Sequence, residues 1–170
     1  MKKIVFYVFV GLQVLFLVLM CVSYYAMDSF GTTIKLKTTP IDPRDPFYGD
    51  FVSLGYQVEQ IPEKYWEGNK EANRGEQVDL LLKKDKSGVY RLKKASNRKL
   101  EASTKDQIVI KAKYEGHNSF AGEYRVSLGL DRYYVEEGMA TQIQPNEERV
   151  VEIVIAPWGQ KKIASLSEEK

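Results

Sequence analysis

The sequence predicts an all-β domain, a β-sandwich or partly open barrel with one or two short helices, preceded by one N-terminal transmembrane helix. Two observations lead to this prediction. Residues 4–27 form an uncharged and strongly apolar run. Beyond that run, apolar and polar residues alternate in short segments separated by turn-forming residues, which is typical of strands with one buried face. We therefore divide the chain into an anchor (1–27), a short tether (28–33) and a β-rich domain (34–170).

The apolar run would extend about 36 Å as a helix, which is enough to cross a bilayer with some tilt. A cleaved signal peptide is the competing interpretation, but its apolar core is usually about 7–15 residues long and ends in a small-x-small site. Here Tyr24 occupies the first small position of a site at Ala26. Cleavage before Cys21 with lipidation is a third interpretation, and the preceding Met20 is too bulky for its usual pattern. We favour an uncleaved anchor that contacts membrane lipid through residues 4–27.

The charges around the run indicate its orientation. Lys2 and Lys3 precede it and Asp28 follows it, so the positive-inside rule places the N-terminus in the cytoplasm and the domain outside a cell membrane that the chain crosses once. Cys21, the only cysteine, lies in the run, so the domain uses no disulfide. The chain has 25 Lys+Arg and 23 Asp+Glu. Without Lys2 and Lys3 the rest is formally neutral, and we therefore expect no nucleic-acid partner.

Apolar residues recur at every second position in several segments of the domain: 34–38, 52–58, 78–82, 108–114 and 124–130. Turn signals separate strands at 86–88 and 115–118, and the turn 157–160 joins 150–156 to 161–166 as a hairpin. Helical signals are scarce. Residues 62–69 begin with proline and acidic residues and predict two helical turns, and 136–144 predict another short helix.

Residues 40–56, PIDPRDPFYGDFVSLGY, combine a proline-rich charged loop with the start of a strand. The prolines stiffen the loop. Arg44 can pair with Asp42 or Asp45, and Gly49-Asp50 supplies a turn. The loop is therefore either a structured turn held by an Arg–Asp network or a recognition surface for a partner protein.

Calcium binding by this loop is a sharper alternative. Asp42, Asp45 and Asp50 offer oxygen ligands, but their spacing does not match an EF-hand and Arg44 opposes a cation. We therefore assign no metal and no cofactor to the loop.

Residues 49–56, GDFVSLGY, follow the DPRD loop and resemble the signature of the GDYXXLXY family of bacterial membrane-anchored proteins. Gly49, Asp50, Leu54 and Tyr56 match that string, and Phe51 stands where the family name has tyrosine. The later stretches GLDRYYVEEGMA and VVEIVIAPWGQKKIASL also look like family blocks. The resemblance implies an anchored exterior β-domain, in a family whose members tend to be encoded beside, or fused to, polytopic membrane proteins. It implies no catalytic residues, since the family has no established activity.

Catalytic signals are weak. His117 is the only histidine and falls in a predicted exposed turn, which excludes His-rich zinc sites, and the cysteine-free domain excludes a cysteine nucleophile. A Ser–Lys hydrolase needs neither. Ser53 follows the Gly-Asp turn, but it lies in a predicted strand with no obvious lysine base. We therefore expect no enzyme, and a Ser–Lys hydrolase ranks third among the functions considered.

Two surface features offer contacts. Residues 83–100 contain eight basic residues and one acid. They form either a solvated hairpin edge protected by lysines or a contact for anionic lipid or wall polymer. Tyr133 and Tyr134 form either an aromatic contact patch or part of the core.

The leading hypothesis is a non-enzymatic accessory or interaction subunit of a polytopic membrane protein. The alternative is a binding module for an anionic envelope ligand or a metal ion. The predicted binding residues are Asp42, Arg44, Asp45, Gly49, Asp50, Tyr56, Tyr133 and Tyr134.

Overall fold

The computed structural model describes residues 2–39, 51–69, 72–134 and 149–168. The loop residues Asp42, Arg44, Asp45, Gly49 and Asp50, and the helix predicted at 136–144, lie outside the described residues. The helix α1 spans Lys2–Phe30. The strands are β1 (Thr32–Thr39), β2 (Phe51–Ser53), β3 (Gly55–Tyr56), β4 (Gln60–Pro62), β5 (Gln77–Lys84), β6 (Tyr90–Ser96), β7 (Gln107–Asn118), β8 (Glu123–Ser127), β9 (Arg132–Tyr134), β10 (Arg149–Ile155) and β11 (Lys161–Glu168).

The strands form two main antiparallel sheets, which confirms the all-β prediction. One sheet has the order β11-β10-β1-β3, the other has the order β4-β8-β7-β5-β6, and β2 pairs with β9 separately. A parallel bridge between Lys35 and Val89 joins β1 to the start of β6. The two sheets therefore meet along this side, and the domain approaches a barrel.

The core lies between the sheets because alternate side chains point inward. Ile34 and Leu36 of β1 are buried against the inward residues of β5, of which Leu80 and Leu82 are fully buried. Tyr114 of β7 closes the same cluster. The period of two in the sequence thus identified the buried face of β1, β7 and β8, whereas β5 and β10 bury adjacent residues as well.

The turn predicted at 115–118 is wrong. β7 continues to Asn118, and His117 pairs with Tyr124 of β8. A bulge between Tyr114 and Gly116 lets the strand absorb the glycine without ending. The chain reverses afterwards, near Gly122, whose φ of 64° suits glycine.

The strand predicted at 52–58 is broken into β2, β3 and a 3₁₀ turn at Gln57–Glu59. Leu54 donates its N–H to the carbonyl of Asp131 over 2.8 Å, which separates β2 from β3. The carboxylate of Glu59 accepts the N–H of Tyr56 over 3.1 Å, and this bond holds the tight turn.

The predicted two-turn helix at 62–69 is a single 3₁₀ turn, Glu63–Tyr65. The chain leaves helical geometry at once because Glu67 donates its N–H to the carbonyl of Ala95 over 2.8 Å. Backbone pairing with β6 therefore overrides the local helical signal.

The predicted tether at 28–33 is divided between two elements instead. The helix α1 runs to Phe30 and β1 begins at Thr32, so Gly31 alone separates them. Gly31 donates its N–H to the carbonyl of Met27 over 2.9 Å, which continues the helical pattern to the end of α1. The predicted hairpin is confirmed as β10 and β11.

Candidate functional site at the helix–domain junction

The end of α1 is built into the domain. Met27 is 2% exposed and packs with Val154 and Ala156 of the β10–β11 hairpin. A Cβ atom on Gly31 would collide with the carbonyl oxygen of Met27 and with the side chain of Val154. Glycine is therefore required where the helix passes closest to β10.

Polar contacts on two successive turns fix the orientation of the helix. The ammonium of Lys162 lies 2.7 Å from the carboxylate of Asp28 and 4.4 Å from the centre of the Tyr24 ring. Ser23, the neighbour of Tyr24, donates its hydroxyl to the side-chain carbonyl of Gln160 over 3.2 Å. Since the Lys162 side chain is only 14% exposed, this ion pair is better shielded than an ordinary surface pair.

A cavity of about 370 Å³ opens beside this junction, between the helix end and the domain. Tyr24 forms the helix side, residues 129–134 form one domain side, and Lys162 with Ile163 forms the other. Tyr133 is partly buried against the core, whereas Tyr134 is 70% exposed. The opening therefore offers an accessible aromatic ring among charged groups of both signs.

Residues of the GDFVSLGY stretch contact the 129–134 segment that lines this cavity. β2 pairs with β9 in the register Phe51↔Tyr134 and Val52↔Tyr133. Tyr56, predicted as a binding residue, is 1% exposed, and its hydroxyl donates to the carbonyl of Leu130 over 3.0 Å. Tyr56 therefore positions the cavity wall instead of contacting a partner.

Glu59 supports the same wall from within. Its carboxylate accepts the N–H of Leu128 over 2.8 Å and that of Tyr56 over 3.1 Å. Burial raises the pKa of Glu59 above its ordinary value, although the two N–H donors oppose the shift. Burial, together with the nearby Glu59 charge, also raises the pKa of the Tyr56 phenol. Sequence reasoning missed Glu59, although a carboxylate three residues after Tyr56 has the spacing of a capping box.

Lys161 holds the other side of the same peptide segment. Its ammonium donates to the carbonyl of Leu128 over 2.7 Å and to that of Lys111 over 2.6 Å. Burial lowers the pKa of Lys161, while the charge of Glu59 opposes that shift. Glu59 therefore binds the N–H of Leu128, and Lys161 binds its carbonyl. Through Lys161, β7 and β11 are both connected to the segment that leads to the cavity.

Comparison with known proteins gives one result for this chain. The family model described as GDYXXLXY protein matches residues 13–166, which is most of the chain. The chain belongs to the GDYXXLXY family. No curated protein matches the chain, and no solved structure does.

A serine, a histidine and a carboxylate come together elsewhere on this GDYXXLXY protein. His117 Nε2 lies 2.9 Å from the Glu63 carboxylate, and its Nδ1 lies 3.4 Å from the Ser119 hydroxyl. The hydroxyl distance exceeds the usual reach of about 2.6–3.2 Å between nucleophile and base. Ser119 also lies on an exposed turn, and the His117 ring packs on Tyr124 with 4.4 Å between ring centres. The arrangement fastens the end of β7 to the 3₁₀ turn at Glu63.

Metal and hydrolase chemistry gain no support from the described part of the GDYXXLXY domain. No group of three or more His, Cys, Asp or Glu residues that could hold a metal occurs among the described residues. Ser53 lies on β2 opposite Arg132, so its cross-strand neighbour is an arginine and not the lysine that a Ser–Lys site needs.

The basic segment 83–100 of the GDYXXLXY protein forms the end of β5, a tight turn and β6. Asp85 accepts hydrogen bonds from Ser87, Val89 and Arg91. Those from the Ser87 hydroxyl and Arg91 hold the pKa of its carboxyl well below the usual range. Lys94 pairs with Glu67 over 2.7 Å. Several of the basic side chains thus have acidic partners, as expected of a solvated hairpin edge.

Proposed function

We propose that this GDYXXLXY protein is a single-pass membrane protein whose exterior domain and helix form an accessory, non-enzymatic subunit of a polytopic membrane protein. The observation that supports the partner is the amide of Gln13 in the apolar helix. α1 is long and apolar enough to cross a membrane, with a mean hydropathy of 2.7 over its most apolar stretch. From Ile4 to Val22 its side chains are exposed, so lipid or another protein must cover them.

Gln13 lies about 14 Å along the helix from both Ile4 and Val22, which is the middle of a bilayer-spanning segment. Its side chain is exposed and has no hydrogen-bond partner among the described residues. Water is absent at that depth, so an amide facing lipid there carries a desolvation cost. A polar group on a neighbouring transmembrane helix removes this cost, because interhelical hydrogen bonds stabilise such contacts.

The exterior side of the proposal uses the cavity at the junction. Tyr134 presents an exposed ring there, and exposed tyrosines are frequent anchors in protein interfaces. The rigid attachment of Met27 to β10 keeps this surface at a constant position relative to α1. A partner that binds the helix at Gln13 and the domain at Tyr134 would therefore make both contacts without reorganising this chain.

The proline-rich loop belongs to the proposal as a second exterior contact. It joins Thr39 of β1 to Phe51, which pairs with Tyr134 of the cavity lining. We propose that its predicted binding residues contact the same partner: Asp42, Arg44, Asp45, Gly49 and Asp50.

Co-purification of the full chain in mild detergent tests the proposal. We expect the wild type to recover a multi-span protein in stoichiometric amount, and Gln13→Leu to weaken that association about 3- to 30-fold, from about 0.6–2 kcal/mol for one interhelical hydrogen bond. Val14→Leu is the matched control and should recover the partner as the wild type does. Equal recovery with Gln13→Leu, or no multi-span partner with the wild type, would contradict the proposal. Loss of a homodimer instead would identify a second copy of this chain as the partner.

A further inference from the structure

Trp158 occupies an exposed turn whose backbone closes without its side chain. The turn between β10 and β11 closes through a hydrogen bond from the Ala156 N–H to the Gln160 carbonyl over 2.8 Å. Gly159 provides the positive φ of 92° that the turn requires. The Trp158 ring remains 50% exposed. A large apolar ring is therefore held in the open by a turn that forms without it.

The Gln160 side chain fixes the position of the Trp158 ring along the axis of α1. The side-chain carbonyl of Gln160 accepts the indole N–H of Trp158 over 2.8 Å and the hydroxyl of Ser23 over 3.2 Å. The indole therefore lies beside the turn of α1 that contains Ser23.

Ser23 marks the end of the apolar surface of the helix. Residues 4–22 form a continuous exposed segment in α1, and 19 residues extend about 28 Å, close to the hydrocarbon thickness of about 30 Å. If this segment fills the hydrocarbon layer, Ser23 and the Trp158 ring lie where the headgroups begin. Tryptophan is enriched at that depth, because its ring is apolar and its N–H is polar.

The charges at this site indicate which property of the lipid matters. Lys162, the cation on the hairpin that is nearest to α1, is paired with Asp28. Tyr24 and Tyr25 are exposed on the same part of the helix. The contact surface is therefore aromatic, and a zwitterionic bilayer is sufficient to bind it.

From these observations we infer that the β10–β11 turn is a membrane-contact site, in which Trp158 inserts at the headgroup level and seats the domain on the lipid surface. This inference depends on the proposed membrane anchor. It goes beyond that anchor, because a single-span protein does not require its exterior domain to touch lipid.

The test uses the full chain reconstituted in phosphatidylcholine vesicles whose acyl chains are brominated either near the headgroup or near the chain end. The chain has two tryptophans, so Trp66→Phe isolates Trp158. Phenylalanine at position 66 preserves stacking on Tyr124, which lies 4.3 Å from the Trp66 ring centre. We expect Trp158 to lose most of its emission to bromine near the headgroup, much less to bromine near the chain end, and equally at low and high salt.

Trp158→Phe is the matched control, because it leaves Trp66 as the reporter. Trp66 should retain its emission with both lipids. If Trp66→Phe does not fold, the difference in quenching between the wild type and Trp158→Phe still gives the result.

If the chain floats with the vesicles while Trp158 stays unquenched, the inference is overturned and the anchor is unaffected. Chain that does not float at all contradicts the anchor itself. If quenching requires anionic lipid, or if salt abolishes it, the contact is electrostatic and the inference of an aromatic contact is wrong.

Discussion

Glu59 supports the segment that leads to the cavity wall. It is half-buried, and it accepts hydrogen bonds from the backbone N–H groups of both Tyr56 and Leu128. Glu59→Ala should destabilise the full chain in micelles by about 1–3 kcal/mol, because it leaves two backbone donors without an acceptor. Denaturant unfolding followed by circular dichroism measures this change. Glu67→Ala is the control, because it removes an exposed partner of Lys94 and should cost at most about 1 kcal/mol. Equal effects of the two variants would contradict the role of Glu59.

The raised pKa of Glu59 gives a second prediction. Because its pKa in the folded chain lies above the ordinary value of 4.5, protonated Glu59 favours folding. Its stabilising contribution is complete below the unfolded pKa and is lost as the pH rises through the folded pKa. The stability of the wild type relative to Glu59→Gln should therefore decrease as the pH rises above about 4.5. If the difference in stability between the wild type and Glu59→Gln does not change with pH, burial does not raise the pKa of the Glu59 carboxyl.

Tyr56 provides a third prediction. Tyr56→Phe should cost about 0.5–1.5 kcal/mol, the usual contribution of one intramolecular hydrogen bond, because the carbonyl of Leu130 loses its donor. Tyr65→Phe is the matched control, since its hydroxyl makes no hydrogen bond among the described residues. The melting temperatures of the two variants show whether the Tyr56 hydroxyl stabilises the fold. A Tyr56→Phe variant as stable as the control would remove Tyr56 from the cavity wall.

Alternation predicts Leu54 and Tyr56 on one face of a strand, which agrees with their burial but not with the assignment of Tyr56 as a binding residue, and it predicts no role for Glu59. If the strand predicted at 52–58 continued to residue 59, alternation would point the Glu59 side chain outward. The chain turns at Gln57–Glu59 instead, and the carboxylate points back into the protein. Periodicity carries no information about such a reversal. The capping-box spacing of Tyr56 and Glu59 was the local signal for it, whereas the second bond, to Leu128, joins residues far apart in the sequence.

At the scale of elements, Gly31 determines how α1 meets β10. Gly31→Ala should destabilise the full chain by about 1–3 kcal/mol, because a Cβ there overpacks the contact between Met27 and Val154. Gly116→Ala is the control, since no atom lies within 4 Å of its added Cβ. Unfolding in micelles measures both. A Gly31→Ala variant no less stable than the control would mean that the helix end moves freely relative to the hairpin.

β1 and β7 were predictable from the sequence because apolar and polar residues alternate along them, and the β10–β11 hairpin was predictable from its turn residues. The tether was not, because Asp28, Ser29 and Phe30 carry no helix-stopping signal and no strand signal. Their helical state depends on Met27 and Asp28 finding partners on the β10–β11 hairpin. Such partners are chosen by tertiary packing, which local patterns do not encode.

At the scale of the whole molecule, the anchor and its orientation make one testable prediction. Protease added outside intact cells should remove the domain and leave a short membrane-embedded fragment, because α1 is the one helix among the described residues that can cross a membrane. Immunoblotting with tags at both ends measures this result. Finding the domain free in the medium, with an N-terminus near residue 27 or 32, would indicate cleavage instead of anchoring.

The class of fold followed from composition and alternation, but the order of strands did not. β1 pairs with β10 in the register Thr32↔Ile155, across more than a hundred residues of sequence. A pairing at that separation depends on complementary burial on both strands, and other strands of this chain offer a similar pattern. The position of the cavity depends on this order, so the site was not predictable either.

The attachment of α1 to the β10–β11 hairpin has a consequence for biosynthesis. Ser23 and Gln160 are separated by 137 positions in the chain, which a ribosome covers in about 7–27 s at about 5–20 residues per second. During that interval the docking partners of Met27 and Asp28 have not been synthesised, and β1 lacks the neighbour that β10 provides. If α1 enters the bilayer as we propose, this unpaired strand edge stays beside the membrane until translation passes residue 155. A ribosome that stalls earlier would then leave that edge open to proteases.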